Sequence, residues 1–291
     1  MISYHSIYMG SECNNACSFC EAGQEPRSFD LQTLIEHVDR MSDLQNVVLY
    51  GGEPTLHDDL FNLISHLRMR GARRIKLVTN GRKLADSDLV LELVRAGCRL
   101  FEIKVEGSHP EMHDTVTGRQ GSFEQTMLGL EAVNGLAQSE QWEDGVFLAV
   151  RVGIRAANLE DLIGIVSMLV SFGLDRIKLV RKGLDFALSE GAFYVANALR
   201  LATLNRTWAE CEGFVPCVMK GCERHLVEFL APRLREGDKP KGCARCDYEQ
   251  ICPGPPEGYV GRYGAREFRA VTGSVYIKDI QQLRAMRSTN G

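Results

Sequence analysis

Ten cysteines stand in this chain of 291 residues, and their spacing is the first chemical signal. Cys13, Cys17 and Cys20 lie near the start, Cys98 stands alone, and six fall between Cys211 and Cys252. Thiols grouped at short spacing in a reducing compartment point to metal rather than to disulfides. Cys13-x3-Cys17-x2-Cys20 follows the first expected strand, and three thiolates on one loop can hold three corners of a 4Fe–4S cube. No fourth cysteine is near, which leaves one iron open to an outside ligand, as catalytic metal sites do. Zinc would ask for four ligands, usually in CxxC pairs. Tyr50-Gly-Gly-Glu-Pro54 follows the second expected strand. Its two glycines let a ligand approach the backbone, Glu53 can accept hydrogen bonds from an ammonium, and Pro54 ends the strand.

With these two motifs one β-α unit apart, the chain resembles the radical S-adenosylmethionine (radical SAM) superfamily, over about residues 1–185 as the core and more loosely to the end. The resemblance implies a 4Fe–4S cluster on Cys13, Cys17 and Cys20 whose open iron chelates the amino and carboxylate groups of SAM. It implies that an electron from the cluster cleaves SAM to methionine and a 5′-deoxyadenosyl radical, which takes a hydrogen atom from substrate. It implies Phe19 beside the adenine, and Gly51, Gly52 and Glu53 on the methionine ammonium. Asn80 is placed where the third strand meets the site, and Arg151 and Arg155 are expected at the SAM carboxylate or ribose. A flavodoxin or ferredoxin-type donor is the implied electron source. The chain departs from the family at Lys104-Val-Glu-Gly107, where many relatives have Ser-hydrophobe-Asp-Gly. Three readings stay open there: Lys104 pairs with the SAM carboxylate as a point charge, Lys104 and Glu106 form a structural pair, or Glu106 touches substrate.

Cys243-x2-Cys246-x5-Cys252, with Cys217 and Cys222 upstream, resembles the auxiliary-cluster tail called a twitch, or a truncated SPASM domain. No cysteine follows Cys252, so the resemblance implies one auxiliary 4Fe–4S cluster, on Cys217, Cys243, Cys246 and Cys252. Cys222 could replace Cys217 or be a free thiol. Some relatives return a hydrogen atom from a cysteine, a role open to Cys222 or Cys211, although a cluster ligand and a small buried residue are the plainer readings of the two. A structural zinc is the competing use of the CxxC pair. Cys98 is expected in the core. His57, His109 and His113 follow strand ends, where they could line the cavity mouth, and are more readily solvated or capping residues than catalytic ones.

The elements that must position these groups alternate, as in βαβ units around a parallel sheet. Strands are expected at Ser3–Tyr8, Asn46–Tyr50, Arg74–Thr79, Leu100–Val105, Val146–Ile154 and Arg176–Arg181, and helices near 29–42, 58–70, 84–96, 121–137, 158–172 and 188–204. Gly71, Gly97 and Gly173 read as helix stops, and Asn158 as an N-cap. Two strands alternate oddly: Glu102, Lys104 and Glu106 share one face, and Arg151, Gly153 and Arg155 another. Parallel strands are usually apolar on both faces, so these polar faces are expected to line a cavity for a polar ligand.

The expected fold is α/β, a partial (β/α)6 TIM-like barrel over 1–204 with a small cysteine-rich extension over 205–291. The net charge of −4 gives no footprint for nucleic acid. It is uneven: residues 1–203 hold 20 basic and 27 acidic side chains (−7), and 204–291 hold 14 and 11 (+3). No run reaches the roughly 18 apolar residues of a membrane span. The N-terminus lacks the pattern of a secretory signal, so a cytoplasmic enzyme is expected. The leading expectation is a radical SAM enzyme that crosslinks, oxidises or epimerises a ribosomally made peptide. The chain starts at its first strand, without the N-terminal peptide-recognition domain many such enzymes carry, so a sugar, aminocyclitol or nucleoside is the close alternative. A non-catalytic metal-binding scaffold is the alternative from another class.

Overall fold

The computed structural model describes residues 4–17, 19, 20, 28–139, 141, 142, 144–230 and 239–276. The chain divides into two compact units: Ile2–Arg151 with Ser171–Arg176, and Val152–Val170 with Ile177–Gly291 and Met1.

The first unit holds strands β1 (His5–Tyr8), β2 (Asn46–Tyr50), β3 (Arg74–Thr79) and β4 (Cys98–Lys104), with the first five residues of β5 (Phe147–Ile154). All neighbours are parallel, and each strand pairs with the next in sequence, from His5 beside Val47 to Lys104 beside Arg151. That successive order is the order of a barrel wall; a doubly wound sheet would reverse direction at a switch point. Ile7, Val47, Leu49, Ile75, Leu77, Phe101 and Ile103 fill its core. Helices α1 (Leu31–Asp39), α2 (Leu60–Met69), α3 (Ser87–Ala96), α4 (Pro110–Thr117) and α5 (Ser122–Ala137) connect the strands. Their ends are set locally. Asp30 accepts the Thr33 N–H at 2.8 Å to start α1, and Gly97, at φ 106°, stops α3 in the left-handed conformation.

The second unit holds the end of β5, α6 (Leu162–Val170), most of β6 (Arg176–Arg181), α7 (Leu188–Leu204) and β7 (Ala209–Glu212), which pairs with β6 in parallel. Ala187, at the start of α7, has no side-chain oxygen to cap the first turn. Tyr259 Oη accepts the Leu188 N–H at 2.6 Å and Glu267 Oε2 the Ser189 N–H at 2.7 Å, so a segment some 70 residues on supplies the cap. Beyond β7 the described chain is loops interrupted by short helices, Val227–Leu230 and Tyr259–Tyr263 among them.

Asn46–Tyr50, Arg74–Thr79, Arg176–Arg181 and helix 188–204 stand as expected from the sequence, and the α/β class with them. Other details differ, beginning with β4, which runs from Cys98 to Lys104 in place of Leu100–Val105. A seventh strand, β7, extends the six expected, and α4 lies between β4 and α5. Helix α6 begins at Leu162 and not at Asn158. Asn158 instead closes the turn Ala156–Asn158, its Oδ1 accepting the Arg155 N–H (2.9 Å) and its Nδ2 donating to Gly153 O (2.8 Å). Ser3 and residues 231–238 and 277–291 of the cysteine-rich extension lie outside the described residues. Among the described residues no helix is long and apolar enough to cross a membrane.

Candidate metal centre

The loop carrying Cys13, Cys17 and Cys20 leaves the end of β1 while Met9 N–H still donates to Tyr50 O at 2.8 Å. Three segments of the first unit then hold it. The Glu53 N–H donates to Glu12 O at 2.7 Å. Gly52 lies so close that a Cβ there would stand 2.1 Å from the same oxygen. Gly51, at φ 105°, faces the Tyr8 ring, 2.5 Å from where its Cβ would be. The close approach these glycines permit is therefore taken up by the chain itself. Next, the turn Arg82–Ala85 sends the Arg82 guanidinium to Asn14 O and, at 2.9 Å, to Asn15 Oδ1. Finally the C-terminus of α4 grips Ala16, whose N–H donates to Thr117 O at 2.8 Å. Gly118, left-handed at φ 65°, passes where a Cβ would meet Ala16 O at 2.4 Å.

Glu53 is buried, and its carboxylate is engaged by four donors. Oε1 accepts from Thr55 N (3.1 Å), Thr55 Oγ1 (2.6 Å) and Thr79 Oγ1 (2.7 Å), and Oε2 from Asn80 N (2.6 Å). It ties the end of β2 to the end of β3. Glu53 also borders a shallow recess with Gly10, Glu12, Gly51, Pro54 and His57.

The three thiols lie near one another. Burial, then the negative charges of Glu106, Cys13 and Cys20, push the Cys17 thiol up to about 11, while Lys104 opposes the rise. Cys13 is raised mainly by burial, and it too feels Lys104. A half-buried thiol raised by burial and by its neighbours, as Cys17 is, gives up its proton to a cation, which is the donor chemistry an iron–sulfur core needs. Among the described residues no three His, Cys, Asp or Glu side chains converge as ligands of a single ion. A cube asks for something else, because each thiolate takes a different iron. Phe19 is half-buried on the loop between Cys17 and Cys20.

The polar face of β4 is answered partly from within the barrel wall. Glu102, 2% exposed at its side chain, stands between Lys76 Nζ (3.3 Å) and Arg151 Nη1 (3.4 Å). Arg151 is thus already engaged, and Arg155 belongs to the second unit. Glu106 is buried, and its N–H donates to His113 Nδ1 at 3.3 Å. The histidines are braces. His57 Nδ1 accepts from Asp59 N and its Nε2 donates to Phe29 O, and His109 caps α4.

His113 gives a pH prediction. Burial of its ring holds the pKa at about 4 against an ordinary 6.5. Above 6.5 the ring is neutral folded and unfolded. As pH falls from 6.5 toward 4 only the unfolded chain takes the proton, so stability falls with pH, by on the order of 3 kcal/mol. Urea midpoints measured across that window should show the fall, and His113→Gln should flatten it.

In the second unit, burial raises the Cys217 thiol to about 11, with Cys243 and Cys246 adding to it, and raises Cys252 to about 12, with Cys217 and Cys243 adding. These four cysteines are neighbours. Backbone N–H groups point at three of their sulfurs: Gly254 at Cys252 (3.4 Å), Val271 at Cys246 (3.4 Å) and Arg269 at Cys217. Cys222 is buried elsewhere, among Cys211, Arg200 and Glu223. Cys98 is fully buried.

Sequence reasoning found the thiols and the Gly-Gly-Glu turn but missed Arg82, Thr79, Thr117 and Gly118. Only Gly118, a helix stop after α4, carried a readable signal.

The family model described as Radical SAM superfamily matches residues 7–169. An AdoMet-dependent heme synthase of Oleidesulfovibrio alaskensis is 33% identical over 125 residues, covering 41% of this chain and 32% of that protein. A probable GTP 3′,8-cyclase of Saccharolobus islandicus is 30% identical over 125 residues, covering 41% and 40%. The chain therefore spans less than half the length of these curated relatives. Among solved structures, SuiB of Streptococcus suis bound to precursor peptide SuiA aligns with a TM-score of 0.53 at 15% identity, covering 72% of this chain and 48% of that one. That similarity agrees with the barrel-type order of parallel strands. With the family model spanning more than half of its length, over the cysteine loop, the Gly-Gly-Glu turn and β1 to β5, the chain belongs to the Radical SAM superfamily.

Proposed function

We propose that this chain is a radical SAM enzyme that modifies a ribosomally made peptide, by crosslinking, oxidation or epimerisation. The observation that carries the peptide reading is the alignment with SuiB, which was solved with a precursor peptide. When bound, the cluster and SAM supply one-electron cleavage of a carbon–sulfur bond and hydrogen-atom abstraction from substrate. The chain's own part is to bind and orient. Cys13, Cys17 and Cys20 would each hold one iron and leave the fourth open. Gly51, Gly52 and Glu53 would receive the methionine ammonium, and Phe19 would face the adenine. Lys104, whose charge reaches Cys13 and Cys17, would serve the SAM carboxylate as a point charge. Asn80 and Arg151 complete the proposed cofactor set of the first unit, and Glu106 is proposed to touch substrate. A flavodoxin or ferredoxin-type protein would deliver the electron.

Residues 205–291 would form a twitch-like domain with one auxiliary 4Fe–4S cluster on Cys217, Cys243, Cys246 and Cys252. The mutual proximity of those four thiols supports this set. Cys217→Ser is expected to remove roughly half of the bound iron after anaerobic reconstitution, because a cube needs its fourth thiolate in a closed site. Cys222→Ser should leave the iron content unchanged. The opposite result would move the ligand role to Cys222.

A second reading has its own support. The heme synthase and the GTP 3′,8-cyclase are the more similar in sequence, and their names place them on small molecules. The deciding experiment supplies reconstituted protein with SAM, reductant and either candidate precursor peptides or sugars and nucleosides. A mass change in a peptide supports the first reading. Unchanged peptides beside a modified small molecule would replace it with the second.

A further inference from the structure

Asn80 joins the two motifs of the site, and its side-chain orientation is determined. The residue is 5% exposed. Its N–H donates to Glu53 Oε2 at 2.6 Å, and its carbonyl accepts from Thr126 Oγ1 on α5 at 3.0 Å. Its Oδ1 accepts the backbone N–H of Arg82 at 3.0 Å. That donor cannot act as an acceptor, so the amide NH2 must face the other way. There Nδ2 meets Asn14 Oδ1 at 2.6 Å and Cys13 Sγ at 3.8 Å. Cys13 Sγ also receives the Asn15 N–H at 3.4 Å. Arg82 keeps this arrangement in register: its guanidinium holds Asn14 O and Asn15 Oδ1, and its Nε is anchored on Gln125 Oε1 of α5 at 2.7 Å. Glu53, Asn80 and Arg82 thus converge, through one amide, on the sulfur of Cys13.

We infer that Asn80 is a positioning residue: held by Glu53 and Arg82, it aims an N–H at the Cys13 thiolate and raises the reduction potential of the cluster that Cys13 ligates. This rests on the reading of Cys13 as a cluster ligand. An N–H donor on a cluster thiolate stabilises the more negative, reduced state, so removing the donor makes reduction harder. Donors of this kind set potential without touching iron.

The test is an EPR-monitored redox titration of the full chain after anaerobic reconstitution, without SAM, alongside total iron. The relevant signal is the one missing from Cys13→Ala. Asn80→Ala should keep the iron and shift the midpoint to more negative potential. Asn80→Asp keeps the size and the acceptor for Arg82 but replaces the donor with a negative charge, so its shift should be larger in the same direction. Arg82→Lys should give a smaller shift of the same sign, since one ammonium cannot hold both loop oxygens as a guanidinium does. A purely structural role would lower iron content without ordering the midpoints in this way. If iron is retained and the midpoints match the unmodified chain, the inference fails while the ligand reading stands. If Cys13→Ala keeps all its iron and signal, the ligand reading itself fails. Should Asn80→Ala not hold iron, the midpoints of Asn80→Asp and Arg82→Lys decide, and values equal to or above that of the unmodified chain overturn the proposal.

Discussion

Cys17→Ala is expected to leave the chain without its N-terminal cluster. The variant should retain only the iron held by the second cysteine group, roughly half the total. Cleavage of SAM should fall below detection. The size of the effect follows from coordination. With one thiolate already absent by design, a second loss leaves two irons of the cube open to water and oxidant. Cys17 is the middle member of the three, and its thiol feels both Cys13 and Cys20. The side chain is only half-buried, so its loss should cost little folding stability and the far-ultraviolet circular dichroism should be unchanged. Cys98→Ala is the contrasting control. That thiol is fully buried at the start of β4, and burial pushes it up to about 12. Its removal should lower stability through a small cavity and leave the iron content alone.

Gly52→Ala should be nearly as damaging, by a different route. Gly52 is left-handed at φ 42°, which costs an L side chain about 1–2 kcal/mol. The added methyl would also stand 2.1 Å from Glu12 O and 2.7 Å from the Ser11 carbonyl carbon. These are backbone atoms of the cysteine loop, not the ends of flexible side chains. Overpacking of this kind adds about 1–3 kcal/mol or forces the loop aside. Since the Glu53 N–H to Glu12 O bond is one of the loop's three anchors, the loop should give way first. The expected outcome is a folded chain, with a modest fall in the urea midpoint, that retains far less iron in its N-terminal site. A variant that keeps wild-type iron and midpoint would show that the loop accommodates the methyl elsewhere.

Both predictions start from residues that were legible in the sequence, and the contrast with those that were not is physical. Thiol spacing is a local property, so Cys13, Cys17 and Cys20 could be read directly. The strands Asn46–Tyr50 and Arg74–Thr79 were also legible, because short apolar β-branched runs bounded by polar residues have few other uses. Glu53 and Asn80 were both recognised, but Thr79 was not, nor were the bonds that join the three. Thr79 and Asn80 reach it only because β2 and β3 are adjacent in the sheet, and adjacency is a tertiary fact. The same holds for Arg82, whose partners Asn14 and Asn15 lie some 67 residues away along the chain. The glycines of the Gly-Gly-Glu turn were read as room for a ligand; on the side where a side chain would project, that room holds Tyr8, Ser11 and Glu12. Helix α4 was overlooked despite a readable start, His109-Pro110, in which the histidine accepts the Met112 N–H and proline occupies the first turn. Strand β7 is only four residues long, Ala-Glu-Cys-Glu, and no propensity argument would separate it from a loop.

The central claim is that these loops are built to initiate radical chemistry, and its most direct measurement is chromatography with mass detection for 5′-deoxyadenosine. Protein reconstituted anaerobically with iron and sulfide would be given SAM and dithionite, with and without candidate peptides and small molecules. 5′-Deoxyadenosine is expected from the unmodified chain and none from Cys17→Ala. Its absence under every substrate condition, from protein whose iron content and visible absorption show an intact N-terminal cluster, would contradict the account.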